Sequence, residues 1–323
     1  MSVDGLRPDA VTRQIEALPT FVRLRAQSAF TDNARTDPDF SNTLPNHTAQ
    51  LTGRRVTGPE GHGWGVNRDS DPGATLHSNR EGYLPSVFDV VHDHGLRTGL
   101  YASKEKFAIY ERSYGPQHGA PDVSGVNNGR AKLDAYVYER DTEDLVAQFI
   151  ADIREAPYDY AFVHLRNPDT AGHRWGWRMW SWHPYMRSVR RVDDRLGEIL
   201  AAIESHPEMA GHTALIMTAD HGGSGHSHGA GDPEDYIIPF YVWAPGVAPG
   251  DLYARLGSAF ADPGRERPGV TDGPGPIRNG SMANLSLAFL GLDPVPGSTI
   301  AASGEFEALM PSGSEAPPSL IVE

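Results

Sequence analysis

No cysteine occurs anywhere in the 323 residues, so disulfides, zinc fingers, iron–sulfur clusters and thiol nucleophiles are all excluded. The absence leaves the compartment open, since it suits either redox environment. Positive charge is also scarce: 28 Lys and Arg stand against 42 Asp and Glu, a formal net charge of −14. That balance argues against a nucleic-acid-coating protein and against a basic membrane-surface binder. An anionic substrate then needs an attractor other than overall charge, and a bound metal ion is the natural one. No apolar run of about 18 residues is present, so no membrane span is expected. The opening MSVDGLRPD has neither a basic n-region nor an apolar h-region. The chain as given therefore carries no signal peptide, and its localisation stays open. What is present is ordinary globular composition, 39% hydrophobic and 22% charged. The length suits one large α/β domain or two small ones.

Short apolar runs alternate with helix-period segments, the pattern of an α/β fold with a largely parallel sheet. Strands are expected over 98–101, 160–165, 213–218 and 239–243. A helix with Val87, Val90, Val91 and His94 on one face is closed by Gly95. Leu145, Val146, Phe149, Ile150 and Ile153 form a second stripe. Tyr185, Val189, Val192, Leu196, Ile199 and Ile203 step by fours and threes, the clearest helical signal in the chain. A last short helix carries Met282, Leu285 and Phe289. Residues 52–80 and 250–280 read as long loops, and loops of that length usually line a site or cap it. No internal repeat or composition break divides the chain. One catalytic domain over 1–301 is expected, with a flexible tail over 302–323.

Chemistry-bearing residues gather in a few short segments. Asp169 and His173 follow the strand ending near Leu165, Asp220 and His221 follow the strand LIMT, and Asp4 follows Ser2-Val3. In open α/β sheets ligands bind beyond the carboxyl ends of strands, where these groups would converge. Asp with His suits Zn²⁺, and also Mn²⁺ or Fe²⁺. His228, in GHSHG, lies close enough in sequence to turn back into the same site. Each piece alone is weak, since an Asp-His pair after a strand is more often a turn or a cap. Their joint occurrence carries the weight. In SNTLPNHTAQLTGR, Pro45 predicts a helix start near Asn46 or His47, with Thr43 just before its anion-binding terminus. A threonine hydroxyl needs a base or a metal to react, and no dedicated His-Asp pair is apparent for it.

In combination, D-G-L-R-P-D, T-L-P-N-H-T-x-x-L-T-G-R, D-x-x-G-H, T-A-D-H-G-G and H-G followed by E-D-x-x-I-P resemble the alkaline phosphatase superfamily. The resemblance is to its nucleotide pyrophosphatase/phosphodiesterase-like branch, and the motifs run in the family's order from Asp4 to about Gly297. It implies an α/β/α sandwich with a mostly parallel central sheet and a site for two divalent metals, zinc foremost. Asp169, His173 and His228 would hold one metal. Asp4, Asp220 and His221 would hold the other, with Thr43 as the nucleophile in its alkoxide form. Asn67, in GHGWGVN, matches the asparagine that holds a phosphate oxygen in this branch. His226 fits the pattern less well than His228, and His47 and His62 lie outside it and read as structural.

The implied activity is a metal-dependent phosphodiesterase or nucleotide pyrophosphatase working through a phosphothreonine. The partner would be a small phosphate ester or nucleotide; the oligomeric state is open. The alternatives are a phosphomonoesterase, a phosphonate or sulfate ester hydrolase on the same fold, and an inactive metal- or ligand-binding relative. Asn67 and the backbone N–H after Thr43 are neutral donors, which favours diesters over doubly charged monoesters. Lys104 and Lys106 are read as solvated loop charges. Trp64, Tyr101, Phe107 and Tyr110 are read as packing residues before base-stacking ones. The family places a full strand before the first metal aspartate, whereas only Met1, Ser2 and Val3 precede Asp4. A truncated or misassigned start is therefore expected, with any upstream leader lost along with it.

Overall fold

The computed structural model describes residues 1–69, 71–123, 129–269 and 273–310. Ser70, residues 270–272 in the second long loop and residues 311–323 of the expected tail lie outside them. Eight strands form one sheet: β1 (Ser2–Val3), β2 (Ala29–Arg35), β3 (Thr98–Ala102), β4 (Ala135–Tyr138), β5 (Tyr160–Leu165), β6 (Leu215–Thr218), β7 (Ile237–Trp243) and β8 (Gly250–Asp251). Their order is β4-β3-β5-β1-β6-β7-β2-β8. β4, β3, β5, β1 and β6 run parallel, while β7 is antiparallel to both β6 and β2. The expectation of a mostly parallel sheet holds. The central strands read as continuous apolar runs because both faces are covered.

The helices that matter here are α1 (Pro19–Gln27), α2 (Thr43–Thr52), α3 (Val87–Asp93), α4 (Ala108–Tyr114), α5 (Thr142–Glu155), α6 (Asn167–Trp175), α7 (Pro184–Ser205) and α8 (Ser281–Phe289). α2, α3 and α8 pack together on one side of the sheet, and α1, α5 and α6 pack on α7 on the other. α7 buries Tyr185, Val189, Val192, Leu196, Ile199 and Ile203, the stripe read from its spacing. Gly95 closes α3 at φ 71°, a conformation that favours glycine.

Three expectations about loops and ends change. The stretch 250–280 carries β8, paired with β2, and a helix at Leu252–Leu256. Asp251 caps that helix by accepting from the Ala254 N–H, so turn-forming residues there start an element as well as interrupt one. Residues 302–310 are not frayed: Phe306 and Leu309 are buried, and Phe306 packs on Phe260 with centroids 5.1 Å apart. Two apolar side chains suffice to hold a segment of otherwise linker-like composition. Finally, α2 starts at Thr43, not near Asn46. Asn42 is extended (φ −116°, ψ 151°), and the first helical bond runs from Asn46 N–H to Asn42 O. Pro45 sits inside the first turn, where a missing N–H costs nothing.

Candidate active site

The carboxyl ends of β1, β5 and β6 supply the acids, and one backbone junction sets their spacing. The Asp4 N–H donates to Leu165 O (2.9 Å), and Asp4 O accepts from the Asp169 N–H (3.0 Å). Gly5 follows at φ 71°, and a Cβ there would lie 2.8 Å from Asp169 Cα, so only glycine lets β1 approach the start of α6 this closely. Its N–H donates to Asp220 Oδ1 (3.1 Å), as does that of His221 (2.9 Å). The Asp220 carboxylate thereby ties the loops after β1 and β6, and the Asp4–Asp169 backbone bond joins the loop after β5 to them.

Two compact groups of possible metal ligands result: Asp4, Asp220 and His221; and Asp169, His221 and His228. Their donor atoms lie within 4.8 Å of one another in each group, and all these residues are buried. The first group is the one the sequence motifs suggest. In the second, His221 stands with Asp169 and His228, and His173 lies beside Asp169. His173 Nε2 lies 3.2 Å from Asp169 Oδ1, but the side chain is 46% exposed. Its Nδ1 bonds to His226 O (3.0 Å), and the His226 ring returns a bond to His173 O (3.1 Å). His226 belongs to neither group.

Asp4 Oδ1, Asp169 Oδ1, Asp220 Oδ2 and His221 Nε2 are buried without a hydrogen-bond partner. Buried polar atoms are ordinarily satisfied, and four orphans converging from three loops match what divalent cations would satisfy. The remaining ligand atoms are already oriented. His221 Nδ1 bonds to Gly222 O (2.9 Å) and His228 Nδ1 to Ser41 O (2.5 Å), turning both Nε2 atoms inward. The two rings stack at 3.6 Å. Burial, and then the neighbouring His221, pushes His228 down to about 3, so its imidazole is neutral and able to ligate.

Thr43 faces this cluster from the N-terminus of α2, and a lysine joins them. Lys104 Nζ lies 2.6 Å from Asp4 Oδ2, 2.6 Å from Asp169 Oδ2 and 3.4 Å from Thr43 Oγ1. Burial opposes its charge, but Asp4 and Asp169 outweigh burial and raise the ammonium above its usual range. Burial likewise opposes ionisation of Asp4, and Lys104 followed by the His164 hydrogen bond still holds that carboxyl well below its usual range. Asp220 goes the other way. Burial and repulsion from Asp4 push its carboxyl well up, and Gly5 and His221 N–H groups occupy its outer oxygen.

Lys106 Nζ donates to Asn67 Oδ1 (3.0 Å), which also accepts from the Leu44 N–H (3.0 Å). Both lysines are therefore at the site, which corrects their reading as solvated loop charges. The cause is Phe107, buried against the rings of His47 (4.9 Å) and His164 (4.3 Å). It anchors the turn Glu105–Phe107 so that the lysines on either side of Glu105 face the ligand cluster. Tyr101, Phe107, Tyr110 and Trp64 are all buried and pack, as expected. His47 bonds to Thr43 O (2.8 Å) and Ser2 Oγ (2.9 Å), and His62 to Pro45 O (3.1 Å), both structural roles.

Sequence reasoning missed His164 and Trp177. His164 Nε2 donates to Asp4 Oδ2 (2.9 Å), and a histidine within the apolar strand YAFVHL was the available signal. Trp177 Nε1–H donates to Gly5 O (3.0 Å), and its indole lies on Gly172 and Gly223, where an added Cβ would fall inside contact distance. Gly223→Ala should cost about 2–3 kcal/mol of stability through overpacking. Urea unfolding followed by Trp fluorescence checks this. An unchanged midpoint would mean that the indole relocates freely.

The mostly parallel sheet with helices on both faces is an alkaline-phosphatase-like fold. Residues 1–239 match the family model described as Type I phosphodiesterase / nucleotide pyrophosphatase, and the chain belongs to that family. It is 29% identical over 283 residues to GPI ethanolamine phosphate transferase 1 of Aspergillus oryzae, covering 76% of this chain and 27% of that protein. The corresponding transferase of Emericella nidulans is 30% identical over 178 residues, 51% of this chain and 18% of the relative. The chain thus spans about a quarter or less of the length of these curated relatives. Among solved structures, an inactive form of murine ectonucleotide pyrophosphatase/phosphodiesterase 5 in complex with AMP superposes with a TM-score of 0.59 at 14% identity, covering 91% of this chain and 95% of that one. The phosphonate monoester hydrolase of Silicibacter pomeroyi gives 0.59 at 14%, covering 97% and 76%. Both likenesses concern the fold.

Proposed function

We propose that the chain cleaves phosphodiester or nucleotide pyrophosphate bonds with Thr43 as nucleophile and two divalent metals, zinc foremost. The observation that carries this reading is Lys104, whose one ammonium touches Thr43 Oγ1, Asp4 and Asp169. The candidate nucleophile and both ligand groups are thereby within one contact of each other. Asp4, Asp220 and His221 would hold one metal; Asp169, His228 and His173 the other, with His221 facing both. Bound there, the metals would supply Lewis-acid charge for the phosphate and for oxygen nucleophiles.

The chain's own groups do the rest. Thr43 Oγ attacks phosphorus and the bond to the leaving oxygen breaks, the hydroxyl proton passing to the leaving group. Water or an alcohol then attacks the phosphothreonine, the bond from phosphorus to Thr43 breaks, and the acceptor's proton restores the hydroxyl. An alcohol acceptor would make the reaction a transfer, as the names of the fungal relatives say of those proteins. Asn67, held by the Leu44 N–H through Oδ1, keeps its amide nitrogen available to a non-bridging oxygen.

Lys106 favours a second reading in detail: a substrate with more than one negative charge, a pyrophosphate or a monoester, over a simple diester. It corrects the premise that the donors here are all neutral. The test is bound metal measured together with rates on nitrophenyl phosphate, bis-nitrophenyl phosphate and a dinucleotide pyrophosphate, with and without an alcohol acceptor. No metal uptake and no turnover of any of the three would overturn the reading.

Lys106 also has a pH signature. Burial, then the Lys104 charge, pushes its ammonium down to about 8. The group is charged below that value and loses its charge as pH rises through it. The preference for the more highly charged ester should therefore fall above about pH 8. Lys106→Met should lower kcat/KM for that ester about tenfold more than for the diester, and remove the pH trend. Lys106→Arg should keep the preference and flatten the trend. Parallel pH profiles in all three proteins would show that Lys106 does not meet the substrate.

A further inference from the structure

The overall charge conceals a local reversal. Between Arg166 and Val192 stand six arginines (166, 174, 178, 187, 190 and 191) and one acid, Asp169, which the ligand cluster occupies. The segment is thus +5 within a chain of −14. It also holds four of the six tryptophans, and three of these are exposed: Trp175 at 49%, Trp180 at 51% and Trp182 at 67%. No carboxylate among the described residues lies within ion-pair distance of any of these six arginines or of Arg140.

These groups lie along α6, the start of α7 and the loop between them. Helical spacing puts Asp169 and His173 on one side of α6, and Asn167, Thr170, Ala171 and Arg174 on the other. That other side forms a cleft of about 740 Å³ with the start of α7, lined by Arg140, Arg166, Arg174, Arg187 and Arg191. Two acids also border it, and both serve the backbone: Asp141 accepts from the Glu143 N–H (2.8 Å) and Glu139 from the Asp141 N–H (3.0 Å). Trp175 edges the cleft. The loop from α6 to α7 presents Trp180 and Trp182, stacked with centroids 5.2 Å apart. Arg174 lies over Trp175 (5.0 Å) and Arg178 over Trp180 (5.2 Å).

We infer that this arginine–tryptophan surface docks the protein on an anionic phospholipid bilayer. Guanidinium groups without acidic partners match headgroup phosphates, which they bind in bidentate fashion. Exposed indoles settle at the headgroup level, where one edge is wet and the other apolar. The complementarity is local, because the remainder of the chain is repelled by the same membrane. No helix among the described residues is long and apolar enough to cross a bilayer, and the contact inferred here is made by surface side chains. α6 carries His173, 46% exposed, on its opposite side, so docking would hold the ligand cluster near the bilayer surface. The inference does not depend on the chemistry proposed for that cluster.

Co-sedimentation of the full chain with vesicles tests it, comparing phosphatidylcholine alone with vesicles containing about one third phosphatidylglycerol. Binding is expected only to the anionic vesicles, with a blue shift of Trp emission, and is expected to be lost near 0.5 M salt. Arg187→Ala with Arg191→Ala should weaken partitioning about tenfold or more. Trp180→Ala with Trp182→Ala should weaken it and abolish most of the blue shift. Neither pair belongs to the ligand cluster, so melting temperature and turnover of a soluble nitrophenyl ester should stay as in the parent chain. No preference for anionic vesicles would overturn the inference. So would equal binding by the arginine variant, or inorganic phosphate binding to the cleft without any vesicle association.

Discussion

Thr43→Ala is expected to lower turnover at least about a thousandfold on every ester the parent chain cleaves, while the fold and metal content persist. The residue is the first of α2 and its hydroxyl contacts Lys104 at 3.4 Å. The helix would keep its start, because the first helical bond uses Asn42 O and Asn46 N–H, neither of which the substitution touches. Thr43→Ser should retain a measurable fraction of the rate, since it keeps the reacting hydroxyl and removes only the methyl group. Single-turnover kinetics with acid quench would add the direct readout, phosphate carried on a peptide containing residue 43 in the parent and serine chains alone. An alanine variant within tenfold of the parent would assign the attack to water or to another side chain, and the phosphothreonine step would be withdrawn.

The parts of this site that were legible in the sequence are those whose position follows from chain direction. A parallel strand ends at the carboxyl edge of the sheet, so Asp4, Asp169 and Asp220 had to arrive near one another once β1, β5 and β6 were neighbours. β5 was found with the bounds observed because its apolar run has no break. β2, AFTDNAR, was not expected: it is polar in the middle, with a register shift between Thr31 and Ala34. β1 is only two residues long yet pairs on both sides, so its place in the sheet comes from its neighbours and not from its length. Lys104 and Lys106 were misread for a related reason. Nothing in SKEKF tells which way a charged side chain points. The direction is set by Phe107 against His47 and His164, two residues remote in sequence. His173 follows Asp169 by one helical turn and lies 3.2 Å from its Oδ1, as the motif spacing suggests, whereas no motif signals that His221 reaches both ligand groups.

Asp220→Ala is expected to lower bound metal from about two ions per chain to about one and to remove nearly all activity. Asp220 Oδ2 is one of the four buried atoms without a hydrogen-bond partner, and it lies 3.2 Å from His221 Nε2. Its other oxygen is already committed to the Gly5 and His221 N–H groups, so the substitution also releases the loops that carry Asp4 and His221. Asp220→Asn separates these two effects. The amide oxygen can keep both backbone bonds, but its neutral NH₂ cannot stand in for a ligating carboxylate oxygen. Asparagine should therefore lose metal and activity nearly as fully as alanine, while after chelation its melting temperature matches that of the chelated parent chain. Elemental analysis and calorimetry on the three proteins, each before and after chelation, give all the quantities needed. Full metal content in the asparagine variant would mean that Asp220 supports the loops without ligating. Unchanged melting of the parent chain on chelation would mean that the buried carboxylates are balanced by Lys104 and the histidines alone.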